Sequence, residues 1–465
     1  PEKRTFFNES VSMFETPISI FYSRRIGASE DSTEHDINYA LKFNGSSKDG
    51  WDYGLIAAKT SNQNNDNNYF IHRITKDIIN GNSIIGLATT SLTKNKQNYH
   101  TISFDNMSYL FFSDLIIDYQ FVQSINNKKI GNGQNIYIGY NSTSPFVCSV
   151  DIEVYDKNFD INKVGYNERN NIKSLELSLG FKNIQPQSNF FRKYRIDMYY
   201  DQEENFDQLK IKNSVGLIAR YYTKNYYSFF IGYSLEAKHY DDYYMYDYEL
   251  GINGPAFKIP EMNRYFMVLN SDTNKDISFH LGFALNSGLN NDRLSESNFG
   301  VSTRIGDSFL FNLDFQQTSI NSSYDFLEIV EDDNDQSINH YIFSKTYGWE
   351  NRYSVKFEKY FRNNISLQVY SEYFIHYNQF SDYREWDSEE ESLIETDFID
   401  GTIEFLPLYT EGSLAPDTSI VNEEIEVEQY LNPNYYVGFY PKYSSINLNL
   451  SFKWEYSTNS DLYIV

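Results

Sequence analysis

Residues 444–456 read Ser-Ser-Ile-Asn-Leu-Asn-Leu-Ser-Phe-Lys-Trp-Glu-Tyr. From Ile446 to Trp454 the even positions are apolar, and the odd positions between them are polar or charged. Successive side chains of a β-strand point to opposite faces of the sheet, so this period of two predicts a strand with one apolar and one polar face. A single strand of this kind fits any half-buried sheet, and only its recurrence can indicate a fold.

The alternation does recur along the chain, most clearly in residues 172–181, 228–238, 277–286 and 309–316. Segments of about ten residues with one apolar and one polar face are typical of a transmembrane β-barrel, which has lipid outside and a wet interior. The predicted fold class is therefore all-β. We expect a single antiparallel transmembrane β-barrel domain over residues 1–465, with about 16–18 strands, short periplasmic turns and long acidic extracellular loops.

The same alternation assigns side chains to the two faces of the predicted barrel. Charged lumen residues either tune pore selectivity or pair with one another, and structural pairing is the commoner outcome. The apolar positions predicted to contact lipid are Leu177, Leu179, Ile231, Leu281, Phe283, Leu313, Leu448 and Leu450. The positions predicted to face the lumen are Arg25, Glu176, Lys193, Arg195, Asp197, Glu236, Asp314, Lys453 and Glu455.

The assignment of Arg25 depends on a predicted strand over residues 17–25. On such a strand Arg25 faces inward, and Arg24 must lie near an interface or the strand end because a charge that faces lipid is costly. A lumen guanidinium can hold an anionic solute or a loop carboxylate through two parallel hydrogen bonds. The alternative, an internal salt bridge that fixes a plug or the barrel wall, is the commoner role of such a residue.

Composition excludes several other classes of protein. No run of about 18 apolar residues occurs, so a membrane-spanning helix is excluded. The net charge of −25, from 64 acidic and 39 basic residues, disfavours nucleic acid as a partner. The aromatic content of 18% fits the interfacial girdles of a barrel. A soluble aromatic-rich sandwich or propeller is the alternative, and the long strands and the lack of a repeat of about 40–50 residues disfavour it.

Motifs for catalysis or cofactor binding are absent from the sequence. The seven histidines form no His-Glu-x-x-His pattern, and there is no Gly-x-Ser-x-Gly elbow and no glycine-rich phosphate loop. We therefore predict no catalytic residues, no metal, no cofactor and no enzymatic activity. The lone Cys148 permits no internal disulfide. The acidic runs at 331–335 and 389–391 are interpreted as solvated loop tips, with weak divalent-cation binding as the alternative.

Residues 380–441 interrupt the alternation with a long acidic stretch. A connection of this length exceeds what a hairpin needs and is usually functional or disordered. Its aromatic residues, Trp386 among them, provide apolar surface to bury and argue against full disorder. We predict an extracellular loop insertion that caps or partly enters the barrel mouth and gives it a negative potential.

Several segments resemble a known family in a consistent order. They are residues 1–9 (PEKRTFFNE), 21–27 (FYSRRIG), 53–60 (YGLIAAKT), 164–169 (VGYNER), 367–370 (LQVY) and 452–456 (FKWEY). Together they resemble an uncharacterised outer-membrane β-barrel domain, domain of unknown function 5916, of Gram-negative and especially Bacteroidetes-like bacteria. In that family the barrel normally follows a family-9-type carbohydrate-binding module. The resemblance implies a location in the cell outer membrane, and the module is expected upstream of this chain.

The predicted function is a porin-like outer-membrane channel, or an uptake component, for a polar solute such as a saccharide. A non-conducting barrel is the alternative, either anchoring a carbohydrate-binding module or serving as a subunit of a larger outer-membrane complex. The expected partners are outer-membrane lipid and lipopolysaccharide, a saccharide or other polar solute, and an outer-membrane protein complex. Nucleic acid is not expected.

Overall fold

The computed structural model describes most of the chain as two compact units of antiparallel β-sheet. The first unit comprises residues 1–183 and 196–215, and the second comprises residues 184–195 and 216–465. The residues outside the description are 1–4, 9–10, 28–35, 62–65, 95–96, 248–251, 289–292, 307, 322–323, 332–338, 363, 396–405, 408–436, 439–441, 458–459 and 465.

The first unit begins with short helical turns and continues as a meander in which each strand pairs with the next, from β1 to β9. The turns are α1 (Thr5–Asn8) and the 3-10 helices Val11–Phe14 and Ser23–Arg25. The strands are β1 (Asp36–Ser46), β2 (Trp51–Ser61), β3 (Asp66–Ile78), β4 (Ser83–Lys94), β5 (Gln97–Leu110), β6 (Leu115–Asn126), β7 (Lys129–Tyr140), β8 (Phe146–Tyr155) and β9 (Ile172–Asn183). Strands β10 (Phe191–Glu204) and β11 (Lys210–Thr223) each have residues in both units.

The second unit contains the remaining strands. Its long strands β12, β17, β18, β19, β20, β22, β23 and β27 pair in that order, all antiparallel. The strands are β12 (Ser228–Glu236), β13 (His239–Asp241), β14 (Tyr246–Asp247), β15 (Ile252–Asn253), β16 (Phe257–Ile259), β17 (Met262–Asn270), β18 (Ile277–Gly288), β19 (Arg293–Ile305), β20 (Phe309–Asn321), β21 (Asp325–Glu331), β22 (Asn339–Arg362), β23 (Ile365–Asp387), β24 (Ser392–Glu395), β25 (Leu406–Pro407), β26 (Val437–Gly438), β27 (Lys442–Ser457) and β28 (Ser460–Ile464).

Connections in the second unit are short at one end of the strands and long at the other. Residues 271–276, 306–308 and 363–364 link successive long strands at the short end. At the opposite end, residues 289–292 join β18 to β19, but residues 237–261 separate β12 from β17, and residues 388–441 separate β23 from β27. The short strands β13 to β16, β21 and β24 all belong to this long-loop end.

Burial in the sheets is the reverse of what a water-soluble protein shows. All eight positions predicted to contact lipid are exposed, from 38% for Leu177 to 68% for Leu448. On the other face of the first unit, by contrast, the polar side chains of Thr60, Asn67 and Gln120 are buried. Full burial of a large aliphatic side chain gains about 1.5–3 kcal/mol, so rows of exposed leucine and phenylalanine are unfavourable in water.

The predicted all-β antiparallel fold class is confirmed. The described residues include nineteen strands of nine residues or more. The predicted strand over residues 17–25 is wrong, because this stretch is an irregular segment that ends in the Ser23–Arg25 3-10 helix.

Candidate functional site

The N-terminal segment, residues 11–27, lies across one face of the first unit's sheet, here called the covered face. Gln120, on β6, is fully buried beneath it. The Ile18 backbone N–H donates to Gln120 Oε1 at 2.5 Å, and Gln120 Nε2 donates to the Ile18 carbonyl at 3.3 Å. The Tyr69 hydroxyl on β3 donates to the Arg25 carbonyl at 3.2 Å. Side chains of the sheet therefore satisfy backbone groups of a segment that has no strand partner of its own.

Apolar anchors hold the same segment in place. Phe14 and Phe21 pack with Ile56 and Ile71 of the sheet, and Ile18 packs in a second cluster. Phe159 and Ile161, from the connection between β8 and β9, complete that second cluster. Two backbone hydrogen bonds of 2.8 Å, Tyr22 N–H to Val164 O and Tyr166 N–H to Ser19 O, join the segment to this connection. The segment and residues 156–171 thus form one packed layer over the covered face.

An ion pair lies beneath this layer. Arg73 on β3 and Asp105 on β5 are 2.6 Å apart, with side chains 9% and 8% exposed, and Arg73 also donates to the Glu15 carbonyl. Gly86, on the intervening strand β4, leaves the space that the carboxylate occupies, because a Cβ there would come within 2.5 Å of Asp105 Oδ2. The charged pair therefore ties the wall of the sheet to the N-terminal segment.

Arg25 lies on the N-terminal segment and not on a wall strand, which corrects its predicted position. Its Nε donates to the Gly165 carbonyl at 3.3 Å, and its side chain is half-buried. Arg24 is exposed, with its guanidinium 5.8 Å from the Tyr22 ring centroid. The guanidinium of Arg25 therefore contacts a backbone oxygen, whereas the predicted salt bridge required a carboxylate.

The other positions predicted to face the lumen are dispersed over both sheets. In the first unit Asp197 is 5% exposed, and Glu176 is exposed. In the second unit, Lys193 Nζ lies 4.3 Å from the Tyr222 ring centroid, and Arg195 is half-buried.

Three further positions predicted to face the lumen also belong to the second unit. Glu236 Oε1 lies 3.6 Å from His239 Nε2, and Lys453 on β27 is half-buried. Glu455 lies on β27, and its side chain is outside the described part of the chain.

Asp314 belongs to a polar groove on the second unit. The groove has a volume of about 360 Å³ and is lined by His280, Asn298, Asp314, Gln316, Arg352 and Ser354 from β18, β19, β20 and β22. His280 Nε2 is 3.6 Å from Asp314 Oδ1, and Arg352 lies 3.6 Å from Glu350 and 3.8 Å from Glu372. Asp314 and Arg352 keep nearly half of their side-chain surface exposed, so this polar face is accessible to a solute.

A larger cavity, the loop-end pocket, lies beyond the polar groove at the long-loop end of the second unit. Its volume is about 610 Å³. Asn286, Leu294 and Ile320 contribute to it from the end of β18, the start of β19 and the end of β20. Its other walls come from the loop segments, through Tyr244, Phe257, Tyr324, Trp386, Lys258 and Glu391.

An aromatic cluster supports the loop-end pocket. The rings of Tyr244 and Phe257 are stacked with centroids 4.9 Å apart, and Phe257 meets Trp386 edge-on at 4.8 Å. Phe343, fully buried, stacks on Phe257 at 4.8 Å. The cluster joins residues 244–257 to the distant strands β22 and β23, and such pairs add about 0.5–1.5 kcal/mol beyond their area. The pocket walls are therefore part of a packed structure.

Polar contacts fix the rim of the pocket. Lys258 Nζ lies 2.9 Å from Glu391 Oε2, which also accepts a hydrogen bond of 3.1 Å from the Tyr240 hydroxyl. The Tyr244 hydroxyl donates to Asp325 Oδ1 at 3.2 Å. Burial, with the adjacent Asp325 carboxylate, raises the pKa of Tyr244, so its phenol stays protonated.

Asp382 on β23 joins the loop segments below the rim. It accepts hydrogen bonds from the Tyr324 hydroxyl at 2.6 Å and from Arg384 Nε at 3.1 Å, and it pairs with Lys345 Nζ at 2.9 Å. These donors lower the pKa of Asp382 to about 2. The carboxylate is therefore ionised at neutral pH and binds β21, β22 and β23 together.

The predicted loop insertion 380–441 begins as regular structure. Strand β23 continues to Asp387, and β24 pairs with it. Most of the insertion, residues 396–405, 408–436 and 439–441, lies outside the described residues. The loop-end pocket was not predicted from the sequence. The tyrosine-rich run 240–246 and Trp386 are the signals that could have indicated it, because exposed loops seldom carry so many rings.

The part of the chain that the structure describes contains neither a membrane-spanning helix nor a cluster of metal ligands. No helix there is long and apolar enough to cross a bilayer. No group of three or more His, Cys, Asp or Glu side chains in that part of the chain could hold a metal ion.

Several solved structures have a distant likeness to the chain. A bacterial polysaccharide outer-membrane secretin is 8% identical, with 55% of this chain and 85% of that chain covered and a TM-score of 0.31. The ferric-catecholate import receptor Fiu of E. coli K12 is 7% identical, with 91% and 73% covered and a TM-score of 0.33. The copper transporter OprC is 9% identical, with 73% and 66% covered and a TM-score of 0.28. TM-scores of this size do not establish a shared fold or function.

Sequence comparison gives a firmer result for family membership. No curated protein matches the chain. The profile of one family, described as a domain of unknown function (DUF5916), matches residues 1–397, which is most of the chain. The chain therefore belongs to the DUF5916 family.

Proposed function

We propose that this protein is an outer-membrane β-barrel that takes up a polar solute, with a saccharide as the candidate solute. The observation that carries the proposal is the inverted burial of the sheets. Leu281 and Phe283 are exposed on one face of β18, while His280 on the other face lines a polar groove. A strand with this pattern is stable where its apolar face meets lipid and its polar face meets water.

The polar groove of the second unit supports uptake of a solute. Its hydrogen-bonding groups come from four adjacent strands, and its charged members remain partly exposed. Groups arranged in this way replace part of the hydration shell of a solute that moves along the wall. The net charge of −25 favours neutral or cationic solutes over anionic ones.

A non-conducting barrel is the second candidate, either as an anchor for a carbohydrate-binding module or as a subunit of an outer-membrane complex. The N-terminal segment favours it. Phe14, Ile18 and Ile26 are buried between the segment and the covered face, so that part of the polar surface is closed to solutes. A lumen filled in this way holds the wall rigid without conducting.

Conductance measurements separate the two candidates. Purified full-length protein would be reconstituted in planar bilayers, and its liposomes would be tested for swelling in neutral sugars of increasing size. Uptake predicts conductance and sugar-dependent swelling. The matched variant deletes residues 11–21, with the exposed-site variant Arg24→Ala as its control. A barrel that is silent both with and without this stretch would contradict the uptake proposal. A barrel that opens only after the deletion would identify the segment as its gate.

A further inference from the structure

We propose that the loop-end pocket is a binding site for a neutral ring-shaped polyol, that is, one or two units of a saccharide. The inference rests on the proposed uptake function and names its first contact site. The pocket volume of about 610 Å³ lies within the range of small-molecule sites, which is about 300–1,000 Å³.

The aromatic walls suit the apolar faces of sugar rings. Tyr244 and Tyr324 are half-buried and line the pocket, and Phe257 and Trp386 line it as buried side chains. The stacking of Tyr244 on Phe257 and the hydrogen bond of Tyr324 to Asp382 hold both tyrosines in place. Rings that are already fixed lose little conformational freedom on binding, and this favours affinity.

The polar lining suits a neutral ligand better than an anion. Lys258 is neutralised by Glu391 at 2.9 Å, and the Asp325 carboxylate is occupied by the Tyr244 hydroxyl. Asn286, Asn321 and Ser392 add uncharged donors and acceptors. Hydroxyl groups can both donate to and accept from such a lining. Arg293 is a second basic residue of the lining, and Asp325 and Glu391 supply two carboxylates. The lining therefore carries no net positive charge, and an anionic ligand would be repelled by both carboxylates.

The position of the pocket connects it to the polar groove. Asn286 in the pocket and His280 in the groove are on the same face of β18, six residues or about 20 Å apart. Ile320 and Asp314 are related in the same way on β20. A solute released from the pocket therefore meets the polar face of the same strands.

Binding of glycans to the full-length protein in detergent tests the proposal. Maltohexaose, cellohexaose and an array of neutral and anionic glycans would serve as probes, with titration calorimetry on those that bind. We expect at least one neutral glycan to bind, and we expect Tyr324→Ala to weaken its affinity about tenfold or more. Tyr244→Phe, which keeps the ring and loses the hydroxyl, should weaken it less. Tyr226→Ala, at an exposed turn at the opposite end of β12, is the control and should change nothing.

The possible outcomes separate this proposal from the proposed function. The pocket assignment would be overturned if the protein bound no neutral glycan or bound anionic glycans alone. It would also be overturned if Tyr324→Ala and the control variant bound the glycan with equal affinity. If glycans bind through the pocket but the barrel neither conducts nor swells, the pocket stands and the uptake function fails. If sugars pass but no glycan binds, uptake stands and the pocket assignment fails.

Discussion

Arg73 and Asp105 form an ion pair of 2.6 Å on the covered face of the first unit, and Arg73 also donates to the Glu15 carbonyl of the N-terminal segment. A buried charge pair costs desolvation energy, and it is most damaging when only one partner is removed. The Arg73 side chain contacts both the sheet and the layer that covers it, so the ion pair links the two.

The first prediction concerns this pair. Arg73→Met should destabilise the first unit by about 3–5 kcal/mol, because it leaves the Asp105 carboxylate buried and uncompensated. The double variant Arg73→Met/Asp105→Leu should recover much of that loss. Urea unfolding of the protein in detergent, followed by the heat-dependent shift in gel mobility, measures both. Equal stability of the single and the double variant would contradict the pairing.

The second prediction tests the attachment of the N-terminal segment. Gln120→Leu removes both hydrogen bonds to Ile18 and leaves a buried donor and a buried acceptor unsatisfied, at about 1–3 kcal/mol each. We expect residues 11–27 to become sensitive to protease while the sheet stays folded. Gln123→Leu, on the opposite face of β6, is the control. Protection of the segment in both variants would show that Gln120 does not hold it.

The third prediction tests the faces of β18. Leu281→Arg should destabilise the protein in a bilayer by about 2–4 kcal/mol, since a charge near the midplane of the lipid is costly. The adjacent His280→Arg should be tolerated, because it faces the polar groove near Asp314. Folding yield in liposomes measures the contrast. If both variants fold equally well, the assignment of the apolar face to lipid is wrong.

The fourth prediction concerns pH. The folded pKa of Asp382, about 2, lies below the value of about 3.9 expected in the unfolded chain. The carboxylate therefore stabilises the loop end above about pH 4, and this contribution is lost as pH falls through about 2. Asp382→Asn should loosen the loop end at pH 7 by about 1 kcal/mol or less, because the group is partly exposed. Limited proteolysis from pH 7 down to pH 2 should show the difference between the two proteins narrowing with acid.

The fifth prediction concerns the acidic insertion. Replacing residues 396–436 by a short Gly-Ser linker keeps β23, β24 and β27 intact. If the insertion caps the barrel mouth, conductance should rise and the preference for cations should fall, because several carboxylates are removed. Assembly should be unchanged. Unaltered conductance, or a protein that no longer assembles, would count against the lid.

The alternation of apolar and polar residues indicates which way side chains point where the two faces of a strand lie in different environments. The faces of Leu281 and His280 follow directly from their positions on β18, because every strand of this kind needs one apolar and one polar side. The same rule failed for Ile18, Ile20 and Tyr22. These residues alternate like a strand, but the backbone of Ile18 bonds to Gln120 and that of Tyr22 to Val164. The side chains of Ile18 and Ile20 are both buried on the covered face, and Tyr22 is half-buried.

The loop-end pocket was beyond prediction for another reason. Tyr244, Phe343 and Trp386 are distant in sequence and meet only when three loop segments fold together. No periodicity relates them, and each alone is an unremarkable aromatic residue in a polar stretch. The high aromatic content indicates that many of these rings are buried, but only the tertiary structure identifies the residues that they contact.

The contacts of the N-terminal segment also set an order of events during biogenesis. Ile18 pairs with a side chain 102 residues later, and Arg25 with a carbonyl 140 residues later. The N-terminal segment is synthesised before β6 and before the connection after β8, so it must wait for both before it can dock. Closing such long loops is entropically costly, so docking belongs to the late stage of assembly. Until then the phenylalanines and isoleucines that docking buries remain exposed, and they are natural targets for chaperones.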